Sequence, residues 1–191
     1  MTERQSPIDI PPTAPIHRDG LELRLGTIPL VLGDNPTAIQ VDNTGVAGAV
    51  VGGEPYELVQ LHMHSPGEHT FSGVHAAMEL HLVFQSPDGV LAVVGVMFIE
   101  GMDNPALGSI LDAVAGREHP RTVDLDALVP RDRAHIAYDG SLTTPPYTEG
   151  VHWRVLVRPS TISTAQLEAV RAVHEGNSRA VQPMGERSFH P

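Results

Sequence analysis

In the stretch Leu58-Val59-Gln60-Leu61-His62-Met63-His64, histidine occurs twice at a spacing of two. A β-strand sends residues i and i+2 out of the same face, so His62 and His64 can point at one spot. A second stretch, Glu79-Leu80-His81-Leu82-Val83-Phe84, offers a third imidazole. From a neighbouring strand it would complete a three-histidine metal site and leave a fourth position for water. Three protein ligands plus water is the arrangement of catalytic zinc, whereas structural zinc sites are closed by four ligands and are rich in cysteine. This chain has no cysteine.

Working outward, other short β-type runs are Leu21–Leu25, Ile39–Val41, Val46–Val51, Ala77–Phe84, Leu91–Phe98, His135–Tyr138 and Val151–Val157, with Gly and Pro between them. Many short strands separated by turn residues predict a mainly β domain. Leu91–Phe98 is nearly all apolar, which predicts a strand covered on both faces. Two helices are expected. One has Asn104 as its cap and Pro105 at its first position. The other opens with the capping-box pair Ser163 and Gln166 and has Gly176 as its stop. No linker or repeat divides the chain, so residues 1–191 are expected to form one domain, of a size that buries about 70% of the unfolded surface.

Of the 191 residues, 41% are hydrophobic and 18% charged, which fits a globular chain. A formal charge of −11 argues against nucleic acid or an anionic membrane as partner. No apolar run reaches the ~18 residues of a membrane span. The chain shows neither cysteine nor a signal-peptide core, and this points to the cytoplasm unless a leader has been trimmed.

Polar residues beside the histidines strengthen the metal reading. A ligating imidazole needs its other nitrogen held by a partner. Gln60 lies two residues before His62, and Glu79 two before His81. A carboxylate in an apolar strand is costly unless paired, and a bound histidine would pair it. Further along, Ser141-Leu142-Thr143-Thr144-Pro145-Pro146 sets two hydroxyls in extended backbone ahead of a double proline. Beside a metal, such a threonine can accept a proton from a water while donating its own to an anion, for which Glu68 is the candidate.

Together these segments resemble the α-class carbonic anhydrases. The likeness runs from Arg4-Gln5-Ser6-Pro7-Ile8-Asp9-Ile10 to Asn177-Ser178-Arg179-Ala180-Val181-Gln182-Pro183, with Leu61–Thr70, Met78–Phe84, Leu91–Gly101 and Tyr138–Trp153 in the family's order and spacing. The resemblance implies a mainly β (α+β) fold: a large mixed, mostly antiparallel sheet with a few short peripheral helices and zinc at the bottom of a cleft. It implies reversible hydration of carbon dioxide to bicarbonate and a proton, by attack of a zinc-bound hydroxide. By position, His62, His64 and His81 match the zinc ligands, and Gln60 and Glu79 the partners behind the first and third. Thr143 and Glu68 match the pair that orients the hydroxide. Val83, Val93, Leu142, Val151 and Trp153 match the apolar wall for carbon dioxide, and Thr144 lies in the region of anion and sulfonamide inhibitors. The state implied is monomer or homodimer.

Four departures stand out. Val46 occupies the place where fast members carry a proton-shuttle histidine, so proton release is expected to be slow or buffer-dependent unless another histidine serves. Ala49 stands where a polar pocket residue is common. The aromatic segment usual before Gln5-Ser6-Pro7 is absent, and Tyr147 replaces a disulfide cysteine of many secreted bacterial members. Two other readings are weighed against this one. A carbonic-anhydrase-like binding or structural protein with little activity would explain the lost shuttle. A cupin would use His62-x-His64-x3-Glu68 with iron or manganese, but leaves Leu142–Pro146 unexplained. No His-Glu-x-x-His metalloprotease motif occurs.

Overall fold

A computed structural model describes residues 4–174 and 176–190. Its strands are β1 (Asp9–Ile10), β2 (Leu21–Arg24), β3 (Thr27–Pro29), β4 (Gln40–Asp42), β5 (Gly48–Val51), β6 (Glu54–His64), β7 (Thr70–Phe71), β8 (Val74–His75), β9 (Met78–Gln85) and β10 (Leu91–Glu100), followed by β11 (Thr122–Asp124), β12 (His135–Ser141), β13 (Glu149–Leu156) and β14 (Ser160–Ile162). Helix α1 spans Pro105–Val114 and helix α2 spans Thr164–Val173. Among these residues no helix is long and apolar enough to cross a membrane.

The main sheet has nine strands, ordered β12-β13-β10-β9-β6-β5-β2, with β14 also pairing β10 and β4 also pairing β6. Only β10–β13 and β10–β14 run parallel within it. The mixed, mostly antiparallel sheet and the two flanking helices match the expected fold class. Small sheets of β1-β7-β8 and β3-β11 complete the strand content, and the sequence pattern missed them because most of these strands are only two or three residues long.

The sheet is buried on both faces at its centre, as the apolar run in β10 predicted. On one face, Leu61, Leu80, Leu82, Phe84, Val94 and Val96 pack with the helices in the larger core. On the other, Val83, Val93, Val151 and Trp153 form a second cluster with Ile8, Ile10 and Tyr138. The alternation along β9 and β10 is the two-residue period of a pleated strand. In β6 the period is broken. A register irregularity between Leu58 and Gln60 leaves Val59 44% exposed, and Leu58 and Leu61 both face the larger core. A bulge of this kind inserts one residue and re-aims all that follow. Here it turns Gln60, His62 and His64 onto the face of the second cluster.

Both helices begin as expected. Leu107 N donates to Asn104 Oδ1 at 3.1 Å, and Ser163 and Gln166 form a reciprocal capping box. Helix α2 stops earlier than expected, at Val173 with His174 as its cap, because the chain must turn back toward β6: Gly176, in left-handed backbone at φ 70°, donates its N–H to the Ser65 carbonyl. The strand expected over Val46–Val51 begins only at Gly48, and Val46 sits fully exposed in the preceding loop. Ala49 is not a cleft residue; it is buried in the larger core, opposite Leu23 and Tyr56.

Candidate active site

Cross-strand pairing brings the three histidines together. His62 lies directly opposite His81 across β6 and β9, and His64 lies opposite Glu79. The ring centroids are 4.9 Å (His62–His64), 5.1 Å (His62–His81) and 4.7 Å (His64–His81) apart. Each ring offers one ligand atom within 4.8 Å of the others, so the group can hold a metal ion. All three side chains are buried.

The far nitrogen of each ring is occupied. His62 Nδ1 bonds Gln60 Oε1 at 2.9 Å, His64 Nδ1 bonds the Asn177 carbonyl at 3.1 Å, and His81 Nε2 bonds Glu79 Oε1 at 2.9 Å. This leaves His62 Nε2, His64 Nε2 and His81 Nδ1 for a shared occupant. His64 Nε2 is buried with no hydrogen-bond partner, which is costly in an apolar setting unless something binds it. Three imidazoles with no thiolate suit zinc and leave a coordination position open.

Glu79 anchors this floor. It is completely buried. Its Oε2 accepts the backbone N–H groups of Glu68 and His69 at 2.7 and 2.8 Å, and its Oε1 bonds His69 Nδ1 at 2.7 Å as well as His81. The chain continues from His69 Nε2 to the Tyr138 hydroxyl at 2.7 Å, and from there to Ser6 Oγ at 2.8 Å. Gly95, opposite His81 on β10, makes room for the carboxylate: a Cβ there would lie 2.8 Å from Glu79 Oε1.

The electrostatics follow from this packing. Burial, followed by the neighbouring His81 and His64, holds His62 well below the usual imidazole range. Burial, followed by His81, brings His64 down to about 3. Both are therefore neutral at pH 7, as a metal ligand must be. Burial alone would also lower His81, but the adjacent Glu79 and then Glu68 outweigh it and raise its pKa. Burial would raise Glu79, yet His69 and His81 hold it well below the carboxylate range. Glu68, also buried, is raised, chiefly by desolvation.

Glu68 Oε1 accepts the Arg179 backbone N–H at 2.8 Å. The Thr143 hydroxyl lowers the pKa of Glu68, although Glu68 Oε2 has no hydrogen bond of full geometry. The contact is a loose one; such bonds tighten when a site is filled. Thr143 is buried and Thr144 exposed, and with His64 they line a cleft of ≈ 420 Å³. Leu142 packs, partly buried, against the cluster of Val83, Val93, Val151 and Trp153. Trp153 Nε1 donates to the Ser141 carbonyl at 3.0 Å, and its ring lies 4.9 Å from that of His81.

A sequence profile described as eukaryotic-type carbonic anhydrase matches residues 1–189. The chain belongs to the α-carbonic anhydrase family. It is 38% identical over 191 residues to a carbonic anhydrase of Klebsiella pneumoniae, covering 96% of this chain and 78% of that protein. Among solved structures it is similar to the Photobacterium profundum α-carbonic anhydrase, with a TM-score of 0.86 at 37% identity over 98% of this chain and 89% of the other. It is also similar to the Thermovibrio ammonificans α-carbonic anhydrase solved with the inhibitor sulfanilamide, with a TM-score of 0.85 at 33% identity over 98% and 87% of the two chains.

Sequence reasoning placed His62, His64, His81, Gln60, Glu79, Glu68, Thr143, Thr144 and the apolar wall, and the fold brings all of them to one region. It assigned no part to Asn177, His69, Tyr138, Ser6, Arg179 or Gly95 in holding that region. The only available signal was for His69, since a buried Glu79 needs more partners than His81 alone. Asn177 and Arg179 meet His64 and Glu68 through backbone groups, which leave no mark on side-chain pattern. Val46 does not line the cleft.

Proposed function

We propose that this carbonic anhydrase hydrates carbon dioxide reversibly to bicarbonate and a proton, with a zinc ion held by His62, His64 and His81. The observation that carries the reading is the set of three neutral or neutralisable imidazoles whose outer nitrogens are all satisfied and whose inner nitrogens converge. When bound, zinc acidifies a coordinated water to a pKa of about 7, a figure established for carbonic anhydrase itself. Gln60, Asn177 and Glu79 fix the orientation of the three rings. The Thr143 hydroxyl accepts a hydrogen bond from the reacting water and donates its own to Glu68, so one lone pair of that water faces the substrate. Val83, Val93, Leu142, Val151 and Trp153 give carbon dioxide an apolar surface, which suits a small molecule with no charge to grip. Val46 has no group that can carry the released proton, so that proton leaves by another route or directly to buffer.

Sulfanilamide occupies the Thermovibrio relative, and we extend primary sulfonamides and small anions to this site, near Thr143 and Thr144. The deciding experiment is stopped-flow carbon dioxide hydration by the zinc-loaded protein beside a His81→Ala control. Hydration lost in the control supports the proposal. No hydration above the control, with zinc bound, would instead favour a binding protein built on the same fold.

A further inference from the structure

Hydration releases one proton per turnover, and the cleft must pass it to solvent. Histidine is the side chain suited to that work near neutral pH. The chain has 11 histidines. Three form the converging triad. His69 has both ring nitrogens engaged in the buried chain to Glu79 and Tyr138. His152 and His190 both face Asp139, and His17 bonds the His190 carbonyl beside the His135 ring. His135, His75 and His119 bond the carbonyls of Arg133, Gly67 and Arg117. None of these seven lines the cleft, whereas His174 does.

His174 is the C-cap of helix α2 and is half-buried. It lines the ≈ 420 Å³ cleft together with His64, Thr143, Thr144 and Ser178. It also lines a second groove of ≈ 150 Å³, beside Asn35 and Gln40. Among the described residues its ring makes no hydrogen bond. The triad rings pack on one another, on His69 and on Trp153, with no contact to the His174 ring. The other ionisable side chains in the cleft are committed or unsuited. The Arg179 guanidinium bonds Gln5 Oε1 and the Ser6 carbonyl and stacks 3.8 Å over the Tyr147 ring. An arginine gives up no proton at neutral pH, and tyrosine titrates near 10.

We propose that His174 is the proton relay of this enzyme, performing the task that Val46 cannot. The inference rests on the carbon dioxide hydration reading above. The reacting water loses a proton to a bridging water, which gives one of its own to the free ring nitrogen of His174. The imidazolium then yields that proton to a buffer base at the second groove and returns to neutral, with no change of oxidation state. The Thr144 hydroxyl, able to donate and accept, and the Ser178 hydroxyl, which donates to the Pro66 carbonyl and can accept, can hold the bridging water.

The test compares the zinc-loaded protein with His174→Ala and, as a control, His119→Ala in carbon dioxide hydration at low buffer concentration. The relay predicts a fall in maximal turnover of about tenfold or more in His174→Ala, an unchanged kcat/KM, and recovery on adding imidazole. His119→Ala should match the parent. A structural role for His174 would lower kcat/KM as well and would not respond to imidazole. Equal turnover of parent and His174→Ala would overturn the relay while leaving the hydration reading intact; an inactive parent would overturn that reading itself. Histidine proton resonances of the metal-free protein give an independent check. The His174 ring must titrate between about pH 5 and 8 to serve, and a ring that stays in one state across that range rules the relay out.

Discussion

The floor and the rim of this cleft are built on opposite plans. On the floor, the buried Glu79 has four partners, and a continuous chain of side chains runs from His81 through Glu79, His69 and Tyr138 to Ser6. At the rim, Thr144 and Pro145 face solvent, and outside the cleft lining Val46 is fully exposed. The difference follows from dielectric. A charge removed from water must be met by donors or it unfolds the site, whereas a rim side chain can be exchanged at little cost. On the proposed reading, the floor would fix metal geometry and the rim would set how protons and ligands come and go.

The comparison breaks most severely at Glu79. Glu79→Gln removes the charge facing His81 and His69, and zinc affinity should fall by about 10- to 100-fold. Equilibrium competition with a chromophoric chelator reads this directly. Affinity equal to the parent's would mean that the floor is not tuned by its carboxylate.

Gly95→Ala probes the same region without replacing a polar side chain. Its new methyl would meet Glu79 Oε1 at 2.8 Å. Overpacking of this kind costs about 1–3 kcal/mol, to be measured by denaturant unfolding of the metal-free protein.

A gentler test is pH. His62 and His64 have folded values below the usual imidazole value of about 6.5, the latter at about 3. The unfolded chain therefore takes up protons first as pH falls, so their contribution to stability is present above 6.5 and is lost below it, down to about 3 for His64. Glu79, also lowered, adds a loss at still lower pH, while His81 and Glu68, both raised, act in the opposite sense with smaller shifts. The melting temperature of the metal-free protein should drop steadily from pH 7 to pH 4. A flat profile would show that the triad is not desolvated.

The smallest effect belongs to the exposed Val46. Val46→His should leave stability within about 0.5 kcal/mol, as surface changes do. It should raise turnover in dilute buffer only if its loop approaches the reacting water, so an unchanged rate would show that position 46 lies off the proton route.

Much of this was legible in the residues. The spacing of His62 and His64, the third histidine in β9, and the polar residues two places before His62 and His81 pointed to a metal site, because strand periodicity is a local property. Asn104-Pro105 and Ser163–Gln166 gave the helix starts because capping is local too. The short strands β1, β7 and β8 were invisible, since two-residue strands exist only through their partners.

What the tertiary structure alone decided begins with the bulge at Val59. By a strict period of two, Leu58 shares a face with His62; the inserted residue sends Leu58 into the larger core and the histidines to the other side. Which residues meet across β6 and β9, the room Gly95 leaves for Glu79, and the return of Asn177 to hold His64 also depend on contacts distant in sequence. Sequence by itself determined the chemistry available, because donor atoms belong to residue types. Their convergence was decided by the fold, because register and long-range backbone hydrogen bonds are set only when the whole sheet closes on its two cores.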